Sequence, residues 1–401
     1  MRIGICGPVN PAALSEFLNC DSIPNVNGGA SSVNTYVKEL LRNGYKVIVF
    51  TSVVPSSAKH DRVLKGDRLE IHIVHSNPGV FLSHSLSRFY MVGRLKKYMQ
   101  KYINKMDVLH AQWTYDFALA AKSFENQLPV FCTVRDWSPY MVTVQNGLKR
   151  VQWLFYNIMS KKVLNSKNIQ FIANSYYTQT QILSAYPTKN VPIIFNSVDK
   201  TLIIEKKQLF TTYPSFISIA ASASEKRKNI YTLLKAFLRF RIKHKDATLR
   251  LVGSGFTESN ALMQEYKRKG MLEGVILCGF KNHTELMGEI DKVNCLVHPS
   301  LEETFGNILI EGMARGVVVI GGEKSGAVPQ ILGNGEYGIL CDVTDEESLS
   351  NAMEKTLDSV FCKRMSEKAL LYTKETFSSL AVMKEHIVLY ERMLKEKQSY
   401  E

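Results

Sequence analysis

An α/β protein built from two doubly wound, parallel-sheet domains is the architecture this sequence predicts, and three observations predict it. Short apolar runs alternate with longer stretches of helical spacing along the chain, the βαβ rhythm that needs a parallel sheet covered on both faces. The rhythm breaks once, at NSVDKTLIIEKKQLFTTYP (residues 196–214), which is polar, charged and turn-rich, and then resumes. Finally, 401 residues are too many for one ordinary core, whereas two domains of roughly 150–200 residues are the usual solution.

The elements follow in order. Residues 2–6 form a short buried strand. Residues 31–43 place Val33, Tyr36, Val37, Leu40 and Leu41 on one side of a helix, and KVIVFTS (46–52) is a buried strand. DVLH (107–110), VFCTV (130–134) and QFIA (170–173) are further strands separated by helical spans. After the break, 216–220 is a strand, 231–244 a helix, and 248–252 a strand ending in Gly253-Ser254-Gly255. Strands at 275–278, 295–298 and 317–321 follow. In 380–395 helical spacing returns, with Val382, His386, Leu389, Tyr390 and Met393 on one side. The expected division is a first Rossmann-like domain over 1–200, a second over 201–376, and a helix over 377–401 that crosses back to the first. Open α/β sheets bind ligands at the carboxyl ends of their strands, so a cleft faced by both sheets is the expected place of function.

Composition is that of a globular protein, 45% hydrophobic and 22% charged. No run approaches the ~20 apolar residues of a membrane span, and MRIGICGPVN lacks a charged-then-apolar leader pattern. The seven cysteines are scattered without a CxxC, which fits buried thiols in a reducing cytoplasm. The net charge of +13 is uneven: residues 1–200 hold 23 Lys/Arg against 11 Asp/Glu, and residues 201–401 hold 27 against 26. No acid lies between Glu70 and Asp107. That span interleaves Arg88, Arg94, Lys96, Lys97, Lys101 and Lys105 with Phe81, Leu82, Leu86, Phe89, Tyr90, Met91, Leu95, Tyr98, Met99 and Tyr102. It reads either as a basic amphipathic helix for an anionic membrane surface or as a helix packed on its own sheet with a solvated basic face. No nucleic-acid motif accompanies it, so nucleic acid is not an expected partner.

Late in the chain, SLEETFGNILIEGMARG (300–316) sets Glu303 and Glu311 on either side of Phe305-Gly306. The strand at 295–298 ends at Pro299-Ser300, and the spacing of Ile308, Leu309, Gly312 and Met313 starts a helix near Asn307. Gly306 leaves room for a close approach to the backbone, and the start of that helix favours an anion such as phosphate. Carboxylates on both sides of a phosphate site suit a ligand with hydroxyls at both ends, such as a nucleotide sugar. Two acids at this spacing are by themselves common, and an acidic helix cap beside a surface glutamate is the plain alternative.

PSLEETFGNILIEGMARGVVVIGGEKSGAVPQIL resembles the signature of retaining glycosyltransferase family 4, which has the GT-B fold of two Rossmann-like domains and a C-terminal crossover helix. The resemblance extends along the chain. RKNIYTLLKAF (227–237) is similar to the segment with the phosphate-binding lysine, placing Lys228 there. LRLVGSGF (249–256) resembles the strand ending in Gly-x-Gly, and VPIIFNSVDKT (191–201) the interdomain Asn-Gly-Val-Asp. NGGASSVNTYVKEL (27–40) resembles the glycine loop and first helix that meet the donor phosphates.

The resemblance implies transfer of a hexose-type sugar from a UDP- or GDP-linked donor, with retention, to a glycan or lipid-linked acceptor in cell-surface polysaccharide or glycolipid synthesis. It implies Lys228 and Glu303 as catalytic groups. The donor would meet Gly28, Gly29, Ser222, Lys228, Gly253, Thr304, Phe305, Gly306, Asn307, Ile308 and Glu311, with Glu303 on the sugar and Glu311 on the ribose. His110, Gln112, Trp113, Arg135 and Asp136 fall on the acceptor side. No DxD-type metal pair is present, and metal-independent chemistry without a cofactor is implied. The chain departs from the family pattern at Ser222, where an arginine is usual and for which Lys226 or Arg227 is a candidate substitute. It departs also at Val318, Gln330, Gln112 and Arg135. A nucleotide-sugar epimerase, a phosphorylase and a non-catalytic nucleotide-sugar-binding protein on the same scaffold are the alternatives.

Overall fold

Strand and helix alternate in the computed structural model as the apolar runs require; it describes residues 1–20, 22–24, 30–53, 60–75, 84–205 and 213–398. The chain divides into two units, Met1–Ser197 with Ser379–Glu401, and Val198–Ser378.

The first unit holds β1 (Arg2–Cys6), β2 (Lys46–Val53), β3 (Arg62–Lys65), β4 (Leu69–His75), β5 (Val108–Gln112), β6 (Val130–Val134) and β7 (Ile169–Ala173). Their order is β3-β4-β2-β1-β5-β6-β7. All neighbours run parallel except β3 against β4. Every residue of β5 and β6 is buried, as expected of strands covered on both faces. The β3–β4 hairpin was not expected from the sequence. RVLKGDRLEIHIVH mixes charges into its apolar positions because β3 is a largely exposed edge strand, where lysine and arginine also discourage pairing with another chain.

The helices of this unit are α1 (Ser31–Arg42), α2 (His84–Tyr102), α3 (Asp116–Ala121), α4 (Ser138–Val144), α5 (Gly147–Leu164) and α6 (Tyr176–Ala185). Helix α2 decides between the two readings of the basic stretch. Met91, Leu95 and Met99 are buried in the unit's core, so this apolar side is already covered. Arg94 pairs with Asp61 at 2.5 Å and Arg88 with Asp116 at 3.2 Å, while Lys96, Lys97, Lys101 and Lys105 stay exposed. Phe81 and Leu82 lie outside the described residues.

The second unit contains β8 (Ser215–Ser222), α7 (Ile230–Arg241), β9 (Thr248–Ser254), α8 (Ala261–Arg268), β10 (Val275–Gly279), α9 (His283–Asp291) and β11 (Cys295–His298). It continues with α10 (Asn307–Ala314), β12 (Val318–Gly322), α11 (Val328–Ile331), β13 (Ile339–Cys341), α12 (Glu346–Glu354) and α13 (Ser359–Tyr372). Its sheet is wholly parallel, in the order β10-β9-β8-β11-β12-β13. That is the doubly wound order whose direction reverses between the first and fourth strands, here β8 and β11.

Helix α14 (Ser379–Gln398) returns to the first unit, burying Val382, Met383, Ile387, Leu389 and Tyr390 in the core that contains β1, β2 and α1. The Ser379 hydroxyl donates to Glu39 Oε2 at 2.8 Å, and the hydroxyls of Tyr390 and Tyr36 share a hydrogen bond of 2.7 Å.

Candidate functional site

In the second unit the sequence-predicted donor residues converge where the sheet reverses. Beyond β8 the chain makes a tight turn through Lys226–Lys228, and Asn229 takes a left-handed conformation before α7 begins. Beyond β11 it passes through Glu302 and Glu303 into α10. The two loops are joined by Leu301 N–H donating to the Arg227 carbonyl at 2.8 Å.

Glu303 is the hub. Its Oε1 accepts from Lys228 Nζ at 2.5 Å and from His298 Nε2 at 3.0 Å, and Arg227 Nη1 stands 3.3 Å from its Oε2. Burial alone raises the Glu303 carboxyl, but Lys228, His298 and Arg227 together outweigh it and hold the group well below the ordinary carboxylate range. A carboxylate can only accept, so His298 Nε2 carries the hydrogen. Burial lowers the His298 ring below its usual value despite the partly opposing pull of Glu303, which leaves it neutral near pH 7. Arg227 also bonds Glu225 and the Glu302 carbonyl. The candidate stand-in for the missing arginine is therefore tied into this carboxylate network.

The backbone fixes the loop. Gly306 has φ +87°, and a Cβ there would lie 3.0 Å from Leu309 Cδ1. Gly326, at φ +62°, lies under the Glu303 carbonyl, where a Cβ would stand 2.3 Å from the oxygen. The neighbouring Ala327 N–H donates to that carbonyl at 2.9 Å. Phe305 is buried, its ring edge-on to Phe377 with centroids 5.9 Å apart, so its side chain anchors the loop instead of facing a ligand. Thr304, Gly306, Asn307 and Ile308 remain partly exposed at the start of α10. One turn further on, Glu311 Oε1 accepts from His283 Nε2 at 3.0 Å, which ties α10 to the start of α9. Gly253 is the second-last residue of β9, and Ser222, at the end of β8, shares a hydrogen bond of 3.0 Å with Ser224. Gly28 and Gly29 lie outside the described residues.

In the first unit the strand order reverses between β1 and β5. Gln112 and Trp113 sit at that end of β5, and Arg135 just past β6. Arg135 Nε donates to Gln112 Oε1 at 2.8 Å, its guanidinium lies 5.6 Å from the Trp113 ring centre, and Nη1 donates to Asn196 Oδ1. Burial lowers Arg135 to about 10, which still leaves it charged at neutral pH. Trp113 has φ +63°, a conformation rarely taken by so bulky a residue and one that functional sites tolerate. Asp136 accepts from the Tyr115 hydroxyl.

His110 does not join this group. It is fully buried, with Nε2 on Thr133 Oγ1 at 2.7 Å and Nδ1 on the Tyr390 hydroxyl at 2.5 Å. As the third residue of β5 it points into the core, so it locks α14 in place and is not exposed to an acceptor. His298 and His283 bond the two glutamates but were not singled out from the sequence, where Arg227 entered only as a candidate substitute for the missing arginine. His298 ends a strand five residues before Glu303, a spacing that sequence inspection can find; the His283 contact spans 28 residues and has no local signal.

Residues 199–371 match the family profile described as glycosyl transferases group 1, and residues 26–202 that described as glycosyltransferase family 4. The chain is similar to an N-acetyl-α-D-glucosaminyl L-malate synthase of Bacillus anthracis, with 23% identity over 92% of this chain and 95% of the relative. It is also similar to the capsular polysaccharide biosynthesis glycosyltransferase CapM of Staphylococcus aureus, with 27% identity over 43% of this chain and 44% of that one. Among solved structures, a sucrose-phosphate synthase from Thermosynechococcus elongatus shares the fold at TM-score 0.77 and 18% identity, over 98% of this chain and 99% of that one.

Proposed function

The chain belongs to the family 4 glycosyltransferases, and from that membership we propose that it moves a hexose-type sugar from a UDP- or GDP-linked donor to a glycan or lipid-linked acceptor, with retention at the anomeric carbon. The reading sets this transfer in polysaccharide or glycolipid synthesis on the cytoplasmic side of a membrane. The name of the Staphylococcus aureus relative supports that setting.

The observation that carries the proposal is the ionised Glu303 held against Lys228 at the reversal point of the second sheet, beside the start of α10. A leaving diphosphate needs positive charge where its negative charge develops. The Lys228 ammonium and the positive end of α10 supply it without a metal ion. Glu303, kept charged, accepts hydrogen bonds from hydroxyls of the donor sugar. Glu311, oriented by His283, accepts from the ribose hydroxyls. The acceptor oxygen bonds to the anomeric carbon as the bond to the diphosphate oxygen breaks, and the acceptor proton passes to the departing diphosphate. Gln112, Trp113, Arg135 and Asp136 are assigned to the acceptor.

Thermal shifts with UDP, GDP, ADP and their sugar conjugates, with EDTA present throughout, test the reading. One nucleotide class stabilises the wild type and fails to stabilise Glu311→Ala, since a ligand that binds only the folded state raises its melting temperature. No shift with any nucleotide would overturn the transferase reading.

A further inference from the structure

The amino-terminal edge of the first sheet carries a cleft that the sugar transfer does not use. Strands β1, β2, β4 and β5 run parallel, so their first residues share one edge, while Gln112 and Trp113 sit at and just past the opposite end of β5. Strand β3 runs antiparallel to β4 and so ends at that first edge. An open cleft of about 260 Å³ lies there, and five cations line it. Arg2 opens β1, Lys46 opens β2, Lys65 closes β3, Arg68 precedes β4, and Lys105 comes shortly before β5.

Most of this charge is unanswered within the protein. Arg2 pairs with Asp107 at 3.0 Å. Asp67 and Glu70 also line the cleft, but Asp67 Oδ1 accepts from Asn19 Nδ2 at 2.9 Å, and Glu70 Oε1 is turned to His72 Nε2, 3.0 Å away. Lys46, Lys65, Arg68 and Lys105 are exposed and make no ion pair with a described residue. Surface lysines usually spread apart, each in its own water. Here the backbone gathers them. Gly66 N–H donates to the Leu69 carbonyl at 2.8 Å and closes the β3–β4 turn, and Val47 N–H donates to the Arg68 carbonyl at 2.8 Å and ties that turn to β2. A Cβ on Gly66 would run into the Phe17 carbonyl, so the turn has no room for another side chain there. Burial chiefly lowers the His72 ring, against the pull of Glu70, and Lys65 and Lys105 lower it further, so the field of both ammonium groups converges on one place.

A cleft lined by one sign of charge concentrates its field and draws in counter-charge. The cleft is smaller than the roughly 300–1,000 Å³ that holds a drug-sized ligand, which excludes a nucleotide sugar and suits a small molecule. Four unpaired cations exceed the charge of a single phosphate and match two phosphoryl groups.

We propose that this cleft is a second anion site, in which Lys46, Lys65, Arg68 and Lys105 bind a small soluble molecule carrying two phosphoryl groups, with inorganic pyrophosphate as the simplest example. The site is independent of the transferase reading, whose donor residues lie in the second unit.

Isothermal titration with pyrophosphate in magnesium-free buffer tests it. The full chain carrying Lys228→Ala is the reference, because the cation assigned to the donor diphosphate is then absent. It should bind one pyrophosphate per chain, more weakly as salt is raised. Adding Lys65→Ala/Arg68→Ala should weaken binding at least about tenfold, and so should Lys46→Ala/Lys105→Ala, since each pair removes two charge-assisted contacts. Lys65→Arg should keep it. Orthophosphate should bind at least about tenfold more weakly than pyrophosphate. The four side chains are exposed, so the double variants should keep the reference melting temperature. Unchanged affinity in both double variants would overturn the proposal, as would orthophosphate binding as tightly as pyrophosphate. Binding to the wild type that Lys228→Ala abolishes would also overturn it, since pyrophosphate would then occupy the donor site alone and the transferase reading would stand. Pyrophosphate binding that survives Lys228→Ala, in a protein that no nucleotide stabilises, would sink the transferase reading and leave this site in place.

Discussion

Glu303 shares its Oε1 between a lysine and a neutral histidine, and that arrangement separates its role from that of Lys228. Its folded-state pKa is depressed, so the stability it contributes is present above the unfolded value and is lost only as pH falls through the lowered one. Glu303 therefore adds no titration to kcat/KM between about pH 5 and 8, because an ordinary glutamate already titrates near 4.3. Lys228→Ala removes the cation assigned to the diphosphate; acceptor-dependent nucleotide release should fall on the order of 100- to 1000-fold, and the thermal shift with free nucleotide should vanish. Glu303→Gln should behave differently, keeping the shift with the free nucleotide diphosphate while losing the extra stabilisation from the sugar conjugate. The carboxylates at 303 and 311 and the glycine at 306 were legible because motif spacing along one loop and helix is local. Arg227 entered the sequence reading only as a candidate substitute for the arginine missing at Ser222; its guanidinium contacts to the Glu302 carbonyl, 75 residues away, and to the Glu303 carboxylate have no local signal.

At the scale of elements, α14 is a structural part of the first unit. Val382, Met383, Ile387, Leu389 and Tyr390 are each nearly or wholly buried. At about 1.5–3 kcal/mol per side chain, their removal costs on the order of 10 kcal/mol, comparable to the whole stability of a domain. Truncation after Ser378 should leave the first unit unfolded by circular dichroism. Tyr390→Phe is milder, deleting one hydroxyl that joins Tyr36 and His110, and should cost about 1–3 kcal/mol in urea unfolding. Acid acts on the same place. Burial lowers His386 to about 4 and His110 well below its usual value, so on acidification the unfolded chain takes up these protons first. Stability should fall as pH drops from about 7 toward 4, by on the order of 3 kcal/mol for His386 alone, and His386→Gln should flatten that slope.

For the molecule as a whole, each unit has its own apolar core. One is built around Phe216, Phe237, Phe240 and Leu251, and the others around Phe124, Cys132 and Phe171 and around Ile3, Val49 and Ile71. Every described residue assigned to the donor lies in the second unit. Scanning calorimetry should therefore resolve a transition that the stabilising nucleotide moves upward and a second that it leaves in place. A single transition shifted as one would show the units to be thermodynamically coupled. The uneven charge belongs to this scale as well. No helix of the described residues is long and apolar enough to cross a membrane, and among the exposed cations of the first unit are Lys96, Lys97 and Lys101 on α2 and Lys149, Arg150, Lys161 and Lys162 on α5.

The sequence by itself determined the alternation, ten of the thirteen described strands from their apolar runs (β3, β4 and β13 were not among them), the start of α10 at Asn307, and the family. These are properties of neighbours along the chain: a strand buried on both faces must be apolar throughout, and a glycine before a helix start has a local geometric cause. Tertiary structure alone decided what faces what. The spacing that made α2 look amphipathic is the same whether its apolar side meets a core or a membrane, and packing against the sheet settled it. His110 was expected on the acceptor side, but Thr133, 23 residues away, and Tyr390, 280 residues away, close on its two ring nitrogens. Burial and long-range pairing are sums over contacts that no local window contains, and they turned a pair of glutamates into one held charged by three basic side chains and one bound to a histidine.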